Sequence, residues 1–255
     1  MPLTLTPLKG IPLVQPGDDL SKHILDAIRT SQIELQDGDI LVVTQKIVSK
    51  AEGRFVNLIN IKASPEAETI AEKTEKDPRF VELVLRESKS ILRIRTGTLI
   101  SEHKLGFVCA NAGIDHSNVQ SLGGNSEDWV LLLPEDPDKS AERIRAAIEK
   151  ASGKQIGVLI IDSHGRAWRM GAVGVAIGLS GIPALVDLRG KPDLFGYQLR
   201  VTLVAAADEL AAAASLMMGQ ADEFTPVVHV RGFPYERRES TVQELIRPRE
   251  LDLFR

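Results

Sequence analysis

Residues 157–178 read GVLIIDSHGRAWRMGAVGVAIG, a stretch that changes character in its middle. The apolar run VLII, at residues 158–161, predicts a buried strand. It ends at Asp162 and Ser163, and His164, two arginines and repeated glycines follow. We therefore expect the strand to stop at this acid and hydroxyl, which would place both side chains at the rim of a sheet, where loops carry chemistry.

The composition excludes several classes of protein. The chain has 255 residues, 43% of them hydrophobic, enough for a sizeable core. Its 31 Lys and Arg against 35 Asp and Glu give a net charge of -4, which argues against nucleic-acid binding. The single cysteine, Cys109, excludes an internal disulfide. No apolar run approaches the roughly 18 residues of a spanning helix, so we expect a cytoplasmic protein without membrane contact.

Strand and helix patterns interleave along the chain. The segments that predict strands are LTLTPLKGIPLV, DGDILVVTQ, ILRIRTGTLISEHKLGFVCANAG, WVLLL, GVLIID and TPVVHVRG. The segments that predict helices are SKHILDAIRTSQI after a cap at Ser21, residues 65–74, RFVELVLRES after Asp77 and Pro78, DPDKSAERIRAAIEKASG closed by Gly153, and TLVAAADELAAAASLMMG ended by Gly219. We treat residues 1–255 as one unit, and Gly123 and Gly124 mark the candidate boundary, near residues 123–126, of a division into two lobes.

Two polar groups follow predicted strands. Asp115 and Asn118 lie in AGIDHSN, where a carboxylate can hold a hard divalent cation and an amide can bond a phosphate or base oxygen. An Asx-turn explains Asp115 equally simply. Asp162 and Ser163 offer two adjacent oxygen ligands, although a capping or turn aspartate is the ordinary alternative.

Basic residues near both groups could bind an anion. Arg166 and Arg169 could hold a phosphate or carboxylate through forked hydrogen bonds, or simply be solvated. Lys46 and Lys50 are four residues apart, so on a helix they share a face and could meet a polyphosphate; a solvated helix face is the alternative. In MMGQADEF, polar residues follow Gly219, which an ordinary helix C-cap also explains.

The glycines of the opening stretch match no nucleotide-binding fingerprint. Gly171, Gly174 and Gly178 fit neither GxGxxG nor a P-loop, so they indicate only close backbone approach. His164 has no partner at a metal-ligand spacing and stays unassigned. These residues alone therefore indicate a soluble α/β-type protein with a candidate site for a divalent cation and phosphate.

Eight blocks in order resemble the coenzyme F-420-0:gamma-glutamyl ligase family. They are KGIPLVQPGDDL, DGDILVVTQKIVSKAEGR, GFVCANAGIDHSN, LLLPEDPDKSAERIR, IIDSHGRAWRMGAVGVAIG, DLRGKPDLFGYQL, ADELAAAASLMMGQ and PVVHVRG. The resemblance covers residues 8–232, and we expect the stand-alone ligase without the flavin-binding C-terminal domain of some relatives.

This resemblance implies a fold, a reaction and an assembly. The fold would be α+β, with mixed sheets and packed helices, in an intertwined homodimer. The reaction would be a GTP-dependent ligation that adds L-glutamate to coenzyme F-420-0 through a gamma-linked amide, with the number of glutamates left open. Two divalent ions, Mn²⁺ or Mg²⁺, would assist it.

The family's functional residues fall on matching positions of this chain. The implied metal ligands are Asp115, Asp162, Ser163 and Gln220. The implied GTP contacts are Ile11, Pro12, Leu13, Val14, Gln45, Lys46, Lys50, Asn118, Met218, Gly219, Gln220, Ala221, Asp222, Glu223, Phe224 and Thr225. Gln45 and Lys46 stand where relatives can carry small hydroxyl residues. The candidate catalytic residues are Asp162, Arg166 and Arg169, and the two arginine roles come from the residues rather than from the family.

The predicted chemistry proceeds through an acyl phosphate, because a free carboxylate does not condense with an amine in water. Two rival interpretations remain open. One is a related ligase that acts on a different acid acceptor. The other is a non-catalytic protein that binds a nucleotide or the deazaflavin.

Overall fold

The computed structural model describes residues 2–252. The strands are β1 (Thr4–Pro7), β2 (Ile40–Thr44), β3 (Phe55–Asn57), β4 (Ser88–Arg95), β5 (Thr98–His103), β6 (Val108–Ala110), β7 (Trp129–Leu131), β8 (Gly157–Arg166), β9 (Arg169–Ser180), β10 (Val186–Asp187), β11 (Leu203–Val204) and β12 (Val227–Arg231). The helices are α1 (Leu20–Thr30), α2 (Gln45–Ala51), α3 (Pro65–Thr74), α4 (Pro78–Glu87), α5 (Pro137–Ser152) and α6 (Ala206–Met218). Short 3-10 turns occupy Leu58–Asn60, Asn111–Gly113, Ser126–Asp128, Val242–Leu245 and Arg249–Leu251.

A five-stranded mixed sheet forms the centre of the fold, in the order β1-β12-β2-β8-β9. Strands β2 and β8 are parallel, and the other neighbours are antiparallel. Two smaller sheets pair β3 with β7 and β10 with β11, and a third has the order β4-β5-β6. The expectation of mixed sheets with packed helices is confirmed.

Alternating side chains of the central strands bury into two cores on opposite faces of the sheet. Leu41, Val43 and Val158 pack against α1 and α5 on one face. Ile40 and Val42 pack against α6 on the other. A third core lies among α3, α4 and the smaller sheets. Both faces of the sheet are covered, which explains why β2 and β8 read as continuous apolar runs rather than as alternating ones.

Most helix ends follow the sequence signals. Asp77 caps α4 with Pro78 at its first position, and Gly153 ends α5 with a φ of 70°. Gly219 follows the last residue of α6. The predicted cap at Ser21 is wrong: α1 begins at Leu20, because the Asp19 side chain accepts a hydrogen bond from the Lys22 amide at 3.1 Å.

The expected end of the strand at Asp162 and Ser163 is also wrong. β8 continues to Arg166, because β9 pairs with it from Val158 to Arg166 and satisfies its backbone groups. The strand that does end near Ile161 is β2, the neighbour of β8 on the side away from β9. Its last residue, Thr44, pairs with Ile161. Beyond that point, the β8–β9 hairpin has an open edge.

Two glycines of β9 allow close packing of helices, as the sequence predicted. A Cβ on Gly174 would stand 2.5 Å from the Ala211 carbonyl oxygen in α6, and one on Gly178 would stand 2.4 Å from backbone of Pro137 in α5. Both distances are too short for any side chain. Gly171 differs, since it has open space around it and a φ of +83°.

The loop before β7 contains Gly123 and Gly124, both with positive φ. Among residues 2–252, no helix combines the length and the apolar content needed to cross a bilayer.

Candidate active site

A cavity of about 530 Å³ opens where β2 ends and α2 begins. Its wall includes most of the residues singled out from the sequence, although they come from distant parts of the chain. They are Pro12, Leu13, Val14, Lys46, Lys50, Asp115, Asn118, Asp162, Ser163 and residues 218–225. The structure therefore brings both carboxylates, both lysines and the MGQADEFT segment to one place.

Asp115 is fixed on both its backbone and its side chain. Its amide and carbonyl exchange hydrogen bonds of 2.9 Å with Leu131, the last residue of β7. Gln45 Nε2 donates to Oδ2 at 2.5 Å, and Lys46 Nζ lies 3.3 Å from Oδ1. Burial raises the pKa of Asp115 to about 6, and the charge of Asp162 adds to this rise against the opposing effect of Lys46. The cavity thus holds two negative charges that destabilise each other.

Asp162 reaches the cavity from β8, where its side chain is 14% exposed. His164 Nε2 lies 3.0 Å from Asp162 Oδ2. The two residues are two apart on one strand, so their side chains share a face. His164 is itself only 9% exposed and also lines the cavity.

A short chain of hydrogen bonds between neutral side chains begins at Ser163, the residue after Asp162. Ser163 Oγ donates to Gln220 Oε1 at 2.8 Å, and Gln220 Nε2 donates to Ser215 Oγ at 2.9 Å. Gly174 makes this arrangement possible, because it pairs with Ser163 in the hairpin and lets α6, which carries Ser215, pack directly on the strand.

The donor set suits a hard divalent cation. Within the described range, no three His, Cys, Asp or Glu residues cluster closely enough to hold an ion. The two carboxylates, the Ser163 hydroxyl and the Gln220 amide oxygen all face the same cavity, however. Mg²⁺ and Mn²⁺ prefer oxygen ligands, and Mg²⁺ is commonly held by one or two carboxylates together with substrate phosphates. The residues therefore fit such an ion.

Lys46 and Lys50 lie on the cavity side of α2, one turn apart. Lys46 Nζ donates to the Ser117 carbonyl at 3.0 Å, and Lys50 Nζ donates to the Asn118 carbonyl at 2.8 Å. The Lys46 side chain is only 24% exposed, so the pair does not form a solvated helix face. Burial lowers the pKa of Lys50, and the charge of Lys46 lowers it further.

The MGQADEFT segment, residues 218–225, forms a fixed loop at the cavity. The Glu223 carboxylate accepts a hydrogen bond from the Ala221 amide at 2.8 Å, and Thr225 Oγ1 donates to the Met218 carbonyl at 2.9 Å. Asn118, whose carbonyl accepts from Lys50, also contacts this loop: its Nδ2 donates to the Ala221 carbonyl at 3.1 Å. Phe224 lines the cavity with a φ of 55° and is 61% exposed, so it lies at the mouth.

Four predicted site residues do not line the cavity. Ile11 and Gln45 are 2% and 1% exposed, so both side chains lie behind the wall. Arg166 and Arg169 lie at the turn of the β8–β9 hairpin, where Arg166 donates to the Gly171 carbonyl at 3.1 Å. They are distant from the carboxylates because the strand continues past Asp162 instead of stopping there.

Sequence reasoning missed His164, Ser117 and Ser215 as cavity residues. Only His164 carried a usable signal, since its spacing of two from Asp162 places both on one face of any strand that runs through them. The two serines could not be identified, because a helix and a loop bring them in from elsewhere.

Known proteins whose sequences resemble this chain share one description. The family described as F420-0:Gamma-glutamyl ligase matches this chain over residues 10–232. A protein of Methanothermobacter thermautotrophicus called coenzyme F420:L-glutamate ligase is 49% identical over 257 residues, with 100% of each chain covered.

Two further relatives carry the same name. The protein of Methanopyrus kandleri is 46% identical, with 97% of each chain covered. That of Archaeoglobus fulgidus is 42% identical and covers 100% of this chain and 97% of its own.

Proposed function

This chain belongs to the F420-0:gamma-glutamyl ligase family and is a ligase, and from that premise we propose that it joins L-glutamate to coenzyme F-420-0 through a gamma-linked amide, at the expense of GTP. The cavity holding Asp115, Asp162, Lys46 and Lys50 carries the proposal. Two carboxylates for cations and two lysines for phosphates are the groups that phosphoryl transfer from a nucleotide requires.

The reaction divides into two balanced steps. A carboxylate oxygen of the coenzyme attacks the γ-phosphorus of GTP, so that an acyl phosphate forms and GDP leaves. The glutamate amine then attacks the acyl carbon, an amide forms, and inorganic phosphate leaves with the amine giving up a proton. Activation is needed because a carboxylate has no adequate leaving group until one of its oxygens carries phosphate.

The charge of each cavity residue indicates whether it binds the phosphates or the cations. Lys46 and Lys50 bind the phosphates, since both ammonium groups lie at the wall of the cavity and carry a positive charge. Asp115, Asp162, Ser163 and Gln220 would hold two divalent ions, Mn²⁺ or Mg²⁺. Bound there, such ions offset the charge that gathers on the transferred phosphoryl oxygens.

The loop and the cavity mouth would receive the rest of the nucleotide. Residues 218–225, together with Pro12, Leu13 and Val14, line this side, and Leu13 and Phe224 are 63% and 61% exposed. Apolar side chains held at a mouth are suited to the flat face of a base. The buried Gln45 and Ile11 side chains would not take part in that contact.

The exposed apolar surface supports a homodimer. Trp168 and Met170, at the hairpin turn, are 86% and 98% exposed, and Leu194 and Phe195 are 97% and 95% exposed. Large apolar groups so exposed mark an interaction surface. A second copy of the chain would cover them, and the Arg166 and Arg169 side chains at that turn would then face the partner.

The test is to incubate the purified protein with coenzyme F-420-0, GTP, Mn²⁺ and isotopically labelled glutamate, and to measure the masses of the products by mass spectrometry. We expect products heavier by one or more labelled glutamyl residues, with one GDP formed for each residue added. Tight binding of GTP or of the coenzyme, without formation of GDP, would indicate a non-catalytic binding protein. Ligation only to other acids, in a panel of acceptors, would assign a different substrate.

A further inference from the structure

A buried side chain with a nitrogen donor lies beside each of the two cavity carboxylates. Behind Asp115 it is Gln45, whose side chain is 1% exposed and whose Nε2 donates to Oδ2 at 2.5 Å. Gln45 is the first residue of α2, directly after β2, so the sheet and the helix together fix its position.

The orientation of the Gln45 amide is fixed by a second contact. Ser49 lies one turn further along α2 and is fully buried, and its Oγ donates to Gln45 Oε1 at 3.0 Å. Since Oε1 accepts from this hydroxyl, the amide NH₂ is left to face Asp115. A flipped amide would set two oxygens against each other and leave the serine without an acceptor there.

His164 is placed in a similar way beside Asp162. Its Nε2 lies 3.0 Å from Asp162 Oδ2, and because a carboxylate accepts, the ring nitrogen donates. The Phe107 ring packs against the His164 ring at 5.2 Å, and the His103 ring stacks on Phe107 at 5.2 Å. His164 is therefore held between its own strand and the loop that joins β5 to β6.

We propose that Gln45 and His164 are positioning residues: each bonds one oxygen of a cavity carboxylate, so that Asp115 and Asp162 present a fixed pair of oxygens to a divalent cation. This inference rests on the proposed function, because it assumes a cation between these carboxylates. It also gives Gln45 a different role from the nucleotide contact predicted from the sequence.

The physical reason is the freedom that each carboxylate would otherwise have. Lys46 lies 3.3 Å from Asp115 Oδ1, and without the Gln45 hydrogen bond the carboxylate could turn both oxygens toward that ammonium group. Groups that hold metal ligands in place typically matter by about 10–100-fold in metal affinity. A neutral amide and an imidazole hold the oxygens without adding a negative charge to a cavity that already has two.

The test measures Mn²⁺ affinity directly, by electron paramagnetic resonance titration of the nucleotide-free protein. The variants are Gln45→Met and His164→Leu, which remove the donors at similar size. His164→Gln restores a donor amide, and Ser49→Ala removes only the group that orients Gln45. The control is His23→Leu, which also breaks a His–Asp contact, of 3.4 Å to Asp18, away from the carboxylates. Metal-free thermal unfolding of every variant is measured alongside.

We expect Gln45→Met and His164→Leu to bind Mn²⁺ about 10–100-fold more weakly than wild type. The Mn²⁺ affinity of Ser49→Ala should lie between these variants and wild type. His164→Gln should recover part of the affinity that His164→Leu loses. His23→Leu should match wild type. If Gln45→Met or His164→Leu fails to fold, Ser49→Ala and His164→Gln still decide the matter. Variants that bind Mn²⁺ as tightly as wild type would overturn the positioning role alone. A wild-type protein that binds no Mn²⁺ would overturn the proposed cation site and this inference with it.

Discussion

Asp115 and Asp162 face one cavity although different sheets hold them: Asp115 is bonded to the end of β7, and Asp162 lies within β8. After burial and the opposing effect of Lys46, the charge of Asp162 is the next influence on Asp115, whose pKa is raised to about 6. Such mutual repulsion is unfavourable in the fold itself and is relieved by a cation.

Replacing Asp162 should abolish catalysis while leaving the fold intact. Asp162→Asn keeps the shape of the side chain but removes the charge that would hold a cation, which is worth several kcal/mol in the transition state. We expect GDP release that depends on both coenzyme and glutamate to fall by at least about 100-fold. The control is Asp187→Asn, at an exposed aspartate paired with Arg189. Substantial turnover by Asp162→Asn would remove this residue from the cation site.

Lys50→Ala should weaken the binding of GTP. Hydrogen bonds to charged groups contribute about 1.5–3 kcal/mol, so we expect the apparent KM for GTP to rise about tenfold or more. Lys73→Ala, at an exposed position of α3, provides the comparison and should change nothing. An unchanged KM in Lys50→Ala would mean that this lysine serves only its bond to the Asn118 carbonyl.

Gly174→Ala should disturb both the fold and the site. The added Cβ would lie 2.5 Å from the Ala211 carbonyl oxygen and 2.6 Å from Ser215 Cβ, so α6 must move away from the hairpin. Overpacking of this kind costs about 1–3 kcal/mol, measured as the free energy of unfolding in urea. Mn²⁺ affinity should fall as well, because Gln220 follows α6. Gly165→Ala, on the paired strand with open space around it, should be nearly neutral in stability; equal effects of the two variants would contradict the packing argument.

The stability of the central sheet should depend on pH through Asp39. Burial acts to raise the pKa of this carboxyl, but hydrogen bonds from Arg231 and His229 outweigh it and hold the pKa below 3.8. A carboxyl whose pKa is lower in the folded state stabilises the fold above its unfolded pKa, and this contribution is lost as pH falls through the folded value.

Arg231→Met should therefore lower the free energy of unfolding by about 3 kcal/mol near neutral pH, because it leaves Asp39 buried with one partner fewer. The deficit should shrink as the pH falls from the folded pKa of Asp39 in the variant, which the loss of Arg231 raises, toward the folded pKa in wild type, which lies below 3.8. Urea unfolding across pH measures it, with Arg189→Met in an exposed ion pair as the control. A deficit that stays constant through this range would show that the charge on Asp39 is not its source.

The proposed homodimer should depend on the hairpin turn. Met170 is 98% exposed in one copy, so Met170→Asp should leave the monomer's stability unchanged but separate two copies. Sedimentation velocity should show a dimer for wild type and a monomer for the variant. A monomeric wild type would contradict the proposal.

Local chemistry explains which features could be predicted from the sequence. The caps at Asp77 and Gly153 use signals within a few residues, and both were correct. The end of the strand at Asp162 was predicted wrongly because polar residues suggested a loop, whereas pairing with β9, which no local pattern reveals, satisfies the backbone. Asp162 and Ser163 still reach the cavity, since the end of β2 opens the edge that a loop was expected to provide.

In the candidate site, too, the local sequence predicts some features, and only long-range packing decides the others. Lys46 and Lys50 were predicted to share a helix face, and they do, because the spacing of four is a property of the helix alone. Gln45 precedes them directly and points the other way, into the core behind Asp115. One step in sequence thus separates a cavity residue from a buried one, and only the packing of α2 against the sheet decides which is which.

The most direct test of the central claim is the anomalous diffraction of Mn²⁺ in crystals grown with GDP. We expect anomalous peaks in the cavity at about 2 Å from carboxylate oxygens of both Asp115 and Asp162, with the GDP phosphates beside Lys46 and Lys50. Manganese bound at another place, or in contact with neither aspartate, would contradict it.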